Sequence, residues 1–118
     1  MLNLFDMERE QLMALAEYRD VLETGQFFRK NFWQNEKNKA GIKLNCQVIT
    51  RYCLEHIEGI IVEKLPEYSL KQLKEIFVKN RLSGMLQIVF SNDVVAVLKN
   101  AYPDEFRTRK LTEWMWSK

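Results

Sequence analysis

The chain has 118 residues, 47% hydrophobic and 29% charged, with four Gly and two Pro. That length predicts one domain with one working core; the apolar share excludes a disordered chain, and the scarcity of Gly and Pro excludes a loop-rich sandwich or a collagen-like repeat. No apolar run approaches the length that crosses a bilayer, and Asp6, Glu8 and Glu10 at the start exclude a signal peptide, so a soluble, cytoplasmic domain with no membrane partner is expected.

Helical signals dominate along the chain. Asp6 predicts the cap of a helix to about Glu23, stopped at Thr24–Gly25, with Met7, Leu12, Leu15, Tyr18 and Leu22 in one broad stripe. A shorter helix is predicted from Gln26 to about Asn38, ending near Ala40–Gly41, with Phe28 and Phe32 four apart and Phe27 and Trp33 beside them. Asn45 predicts the cap of a long third helix to about Lys64, closed by Leu65–Pro66. Its apolar positions are Ile49, Tyr52, Cys53, Ile57, Ile60 and Ile61, and Gly59 in its middle reads as a close helix crossing.

Ser69 with Gln72 forms a capping box, followed by an apolar face of Leu70, Leu73, Ile76 and Phe77 and an i, i+4 pair of Glu75 and Lys79. Around Asn80–Ser83 the chain is expected to turn into a short helix from Gly84 to Phe90. Ser91 or Asn92 then caps another through Val94, Val95, Val97 and Leu98 to Tyr102, where Pro103 stops it. A last helical segment is predicted from about Thr108 to Trp116. No stretch alternates convincingly with a period of two. The predicted fold class is all-α: a compact bundle of about five to six helices in one domain, with N-terminal helices over 1–66 and a helix-turn-helix-like half over 67–118.

Chemistry-bearing residues are sparse. Cys46 and Cys53 are seven apart, on one helix face but separated by about 10 Å along the axis, too far for a disulfide. Beside Val48, Ile49 and Ile57 they read as reduced core thiols. A metal site from Cys46, Cys53 and His56 lacks a fourth ligand at a familiar spacing. Cys53 and His56 at i, i+3 could form a nucleophile–base pair, but no oxyanion motif or Gly-rich turn accompanies them. The carboxylates are spread over helices, and Gly25, Gly41, Gly59 and Gly84 are isolated, so no phosphate loop or dinucleotide fingerprint exists. A non-catalytic protein with no metal and no cofactor is expected.

Charge is polarised beneath a net of only +2. Residues 1–25 carry −4, 26–43 carry +4, 44–68 carry −2 and 69–118 carry +4. Two basic regions, Arg29, Lys30, Lys37, Lys39 and Lys43, then Arg107, Arg109 and Lys110, would suit phosphate contacts, with Phe27, Phe28 and Trp33 available for base stacking if exposed. The structural alternative makes those aromatics core and the lysines its solvated rim. Self-association, with the acidic first helix of one copy on a basic face of another, is a further use of the same polarity.

The three short capped helices over 69–102 meet the requirement of a helix-turn-helix unit. The helix after Ser91 offers Asn92, Asp93, Ala96, Lys99 and Asn100, of which Asp93 suits a helix dipole better than DNA. Arg81 and Ser83 precede the helix at Gly84. Residues 81–103, RLSGMLQIVFSNDVVAVLKNAYP, resemble a small helical module of uncharacterised Bacillus-type bacterial proteins, similar to modules that accompany some homing-endonuclease-like DNA-binding proteins. The resemblance is carried by Leu82, Gly84, Met85, Leu86, Phe90, Leu98, Ala101, Tyr102 and Pro103, with a downstream aromatic at Trp114 or Trp116. It covers about a third of the chain; a Ser-Pro turn of the module stands here as Ser91-Asn92. The resemblance implies the local helical fold and, loosely, nucleic-acid binding.

The sequence thus predicts a bacterial accessory or regulatory protein that binds DNA or RNA through Arg29, Lys30, Lys37, Lys39, Arg81, Lys99, Arg107, Arg109 and Lys110. The alternative is a protein-interaction module, binding itself or another protein through Trp114, Met115 and Trp116.

Overall fold

A computed structural model describes residues 8–116. Helix α1 (Arg9–Thr24) follows Glu8, which makes no side-chain cap hydrogen bond. Asp6, expected as its cap, and Met7 lie outside the described residues. The helix stops as the sequence predicts: Gly25 takes φ +72° and donates its N–H to the Val21 carbonyl. Ala14, Leu15, Tyr18 and Val21 form its buried face, while Leu12, expected in the stripe, is exposed.

The helix expected from Gln26 to Asn38 does not form. Asn31 takes φ +65°, and Asn35 accepts the Lys37 N–H, so the segment is a chain of turns. Four aromatics within seven residues cannot all share one helix stripe. Turns let Phe28, Phe32 and Trp33 close on one another, with ring centroids 4.7–4.8 Å apart, while Phe28 stacks on Tyr18. Glu17 ties the loop to α1, accepting the Arg29 N–H at 3.2 Å and pairing with its guanidinium at 3.0 Å.

Helix α2 (Lys39–Arg51) starts at Asn38, whose side chain accepts the Gly41 N–H. Ala40–Gly41, expected as a stop, therefore lies in its first turn, and Asn45, expected as a cap, lies inside it. The helix does not run on regularly to Lys64. It widens into a π-helical stretch, Tyr52–Ile57, in which the Glu58 N–H reaches the Cys53 carbonyl. Gly59 ends it at φ +68°, and a Cβ there would meet nothing within 4 Å, so this glycine serves a turn and not a close crossing. A 3-10 helix, Val62–Glu67, follows with Pro66 inside it.

Helix α3 (Leu70–Lys79) carries the predicted capping box: Gln72 N–H to Ser69 Oγ at 3.1 Å and Ser69 N–H to Gln72 Oε1 at 2.8 Å. Its end is a Schellman motif without glycine. Arg81 takes φ +69° and donates to the Val78 carbonyl, Leu82 donates to the Phe77 carbonyl, and Phe77 and Leu82 are both fully buried. Lys79 pairs with Glu58 at 3.1 Å, not with Glu75.

The short helix expected from Gly84 to Phe90 is mostly π-helical, over Met85–Val89. Ser91 and Asn92, expected as caps, sit instead at φ +51° and +64° in the turn, and Asp93 caps α4 (Val94–Ala101) by accepting the Ala96 N–H. Pro103 stops α4 and also opens α5 (Pro103–Arg107), where its missing N–H costs nothing. The last predicted segment is reduced to a 3-10 helix, Glu113–Trp116.

Helix α2 is central, packed against α1 and α4, with α3 also on α4. Leu15, Ile49, Leu65, Phe77, Leu98 and Leu111 belong to one buried cluster. The fold is all-α, with no strand among the described residues, where no helix is long and apolar enough to cross a membrane.

Candidate nucleic-acid interface

The nine predicted cations are all exposed, in two groups. In the loop after α1, Arg29 is held by Glu17 and lies 5.5 Å over the Phe32 ring, while Lys39 pairs with Glu36. Lys30 and Lys37 project from the same loop with no ion pair among the described residues. Near the C-terminus, Lys99 contacts Glu113 and Arg107 pairs with Asp104 at 2.6 Å. Arg109 and Lys110 have no ion pair among the described residues, and Lys99, Arg107 and Arg109 line one shallow depression with Pro103 and Phe106. These surface pairs are worth little in stability, so a phosphate could displace the carboxylates.

Arg81 joins the first group through the fold. Its left-handed backbone sends the side chain back toward α1, where Nη2 lies 3.5 Å from the position a Cβ on Gly25 would take. The guanidinium therefore sits at the C-terminal end of α1, favourable for the helix dipole, and at the root of the Arg29–Lys30 loop. Asn100, beside Lys99, donates to the Lys43 carbonyl at 2.9 Å, so the basic start of α2 meets the end of α4. Lys43 itself lies 4.3 Å over the Phe90 ring.

The aromatics divide. Phe32 and Trp33 are buried and Phe28 half-buried, as the core alternative holds, but Phe27 is 89% exposed. Of the C-terminal trio, Trp116 donates Nε1–H to the Tyr68 carbonyl and Met115 packs on the core, leaving Trp114 exposed. Lys71 and Lys74, exposed on α3, were not in the predicted set; they could have been read as the face opposite Leu73 and Phe77.

Comparison with protein-family models, with curated proteins and with solved structures finds no match for this chain.

Cys46 and Cys53 are free and fully buried, and burial pushes both thiols up to about 12. His56 is exposed and stacks on Tyr52 at 5.2 Å, with no hydrogen bond to Cys53. Among the described residues, no group of three or more His, Cys, Asp and Glu is placed to hold a metal.

A separate cleft of about 360 Å³ opens beside the first π-helical stretch, lined by Arg51, Glu55, His56, Glu63, Tyr102 and Glu105 among others. Glu55 accepts hydrogen bonds from the Tyr102 hydroxyl at 2.9 Å and from Arg51 Nε at 3.2 Å, and the Arg51 guanidinium lies 5.3 Å over the Tyr102 ring. Burial and the adjacent Glu55 carboxylate raise the Tyr102 phenol above its usual range, so it remains a donor. Arg51, Glu55 and Tyr102 thereby satisfy one another.

Proposed function

We propose that this chain binds nucleic acid without catalysis, as a cytoplasmic accessory or regulatory protein of a bacterium. Lys30, Lys37, Arg81, Arg109 and Lys110 supply the phosphate contacts, and Arg29, Lys39, Lys99 and Arg107 join by exchanging a surface carboxylate for a phosphate. The observation that carries this reading is the approach of Arg81 to Gly25, which gathers cations from distant parts of the sequence at the root of one loop. The succession of α3, the Met85–Val89 stretch and α4 is compatible with a helix-turn-helix-like unit, and the resemblance of residues 81–103 points the same way. Asp93 is engaged as the cap of α4, so the reading assigns backbone contacts and not base recognition to that helix.

The test is fluorescence anisotropy with labelled random duplex DNA and single-stranded RNA, at low and at physiological salt. Binding should fall steeply with salt, and an Arg107/Arg109/Lys110 triple Ala variant should lower the salt slope by about 0.7–0.9 for each phosphate that is no longer neutralised. No binding of either probe at low salt overturns the reading.

A second reading, a protein-interaction module, is favoured by the exposure of Met13 at 63% on acidic α1 and of Trp114 at 71%. Light scattering across a concentration series tests its homodimer form: mass that rises with concentration and is lost on Met13→Lys supports it, and a constant monomer mass removes it.

A further inference from the structure

We infer that the nucleic acid taken by the Arg81–Gly25 face is single-stranded, with Phe27 as a platform on which one base stacks; this rests on the nucleic-acid reading above. Phe27 leaves most of its surface in water although its loop had a way to the core, which Phe28, Phe32 and Trp33 use. It is also held in place. The Gln26 N–H donates to Thr24 Oγ1 at 3.2 Å on one side, and the Arg29 N–H donates to Glu17 on the other. A ring fixed by anchored neighbours and open to solvent loses little conformational freedom when a base covers it.

Charge decides what kind of aromatic partner fits. Arg29 and Lys30 follow Phe27 in the loop, and Arg81 stands beside Gly25 before it. Exposed Asp20 and Glu23 on the last turn of α1 bound this strip, so a phosphate path runs over Arg81 and Lys30 and not along α1. An aromatic platform among cations matches the stacked bases and phosphates of a single strand. In a duplex the base faces are already covered by their neighbours, and the ring has nothing to stack on.

The experiment measures a fluorescein-labelled oligothymidylate of about 12 nucleotides, and a duplex of the same length, against wild type, Phe27→Ala, Phe27→Tyr and a Lys30→Ala/Arg81→Ala double variant. Phe27→Ala should bind the single strand about ten- to a hundredfold more weakly and the duplex unchanged, while Phe27→Tyr stays within about twofold of wild type. Phe27 is so exposed that both variants should unfold at the wild-type Tm. If Phe27→Ala binds the strand as wild type does while the double variant loses affinity, the platform is overturned and phosphate binding stands. If neither probe binds wild type at low salt, both readings fall.

Discussion

The Tyr18 hydroxyl donates to the Asn80 main-chain carbonyl at 2.8 Å, joining the middle of α1 to the end of α3 one residue before Arg81. Burial, reinforced by Cys53 and its other neighbours, raises the Tyr18 phenol above its usual range, which keeps the donor protonated. Tyr18→Phe keeps the ring stack with Phe28 and orphans a buried carbonyl. It should cost about 1–2 kcal/mol in urea unfolding, and a loss well below that range would show that the carbonyl finds another donor.

Arg81→Gly separates the fold from the proposed function. The left-handed backbone at φ +69° favours glycine, so relief of strain should raise stability by up to about 1 kcal/mol. Nucleic-acid binding should weaken at the same time, with a shallower salt slope. A variant that loses stability instead would show that the guanidinium at the end of α1 matters chiefly to the helix.

Glu58 predicts an acid-sensitive fold. The Asn80 amide donates to its carboxylate at 2.9 Å and Lys79 pairs with it, holding the carboxyl below its usual range. A lowered folded-state value contributes stability that is present above the unfolded value of about 4.3 and is lost as pH falls through the folded one. In denaturant titrations at several pH values, Glu58→Gln should therefore be less stable than wild type at neutral pH and approach it in acid. Parallel pH profiles would remove Glu58 from the acid response.

Thiol chemistry offers a direct check on the core. Cys46 and Cys53 should resist iodoacetamide in the native protein and react promptly in denaturant. Rapid native labelling of Cys53 would revive a nucleophilic role for it.

Two glycines should fail differently as alanines. Gly59→Ala meets no neighbour and suffers only from its backbone at φ +68°, for a cost of about 1 kcal/mol. Gly41→Ala would put its Cβ 2.4 Å from the Asn38 side chain and dislodge the α2 cap, again for about 1 kcal/mol. Because the second loss acts through Asn38, Gly41→Ala and Asn38→Ala should be less than additive in a double-mutant cycle, whereas Gly59→Ala and Asn38→Ala should add.

What was legible in the sequence was local. Ser69 and Gln72 cap α3 within one turn of backbone, and Gly25 and Pro103 act on their own φ angles. The misread segments depended on competition. Asn38 and Asn45 are both plausible caps, and the turn at Asn35–Asn38 decides for the first. Residues 26–38 carry helical spacing, yet the core admits Phe28, Phe32 and Trp33 together only through turns. The candidate interface was half legible. Each cation could be named, but the meeting of Arg81 with Gly25 depends on a positive φ that Arg rarely adopts. The exposure of Phe27 follows from which of its neighbours filled the core first.

The π-helical stretches Tyr52–Ile57 and Met85–Val89 each hold one residue more per turn than an α-helix would. Each therefore acts as a phase shift in the chain. Removing a single residue from Tyr52–Ile57 would restore an ordinary helix locally and swing everything after it by about 100° around the axis. Glu58 would turn away from Asn80, and with it the strut that fixes the end of α3, where Arg81 leaves the helix. In such a segment a one-residue deletion is a far larger event than most substitutions, and chain length there should be under tighter constraint than residue identity.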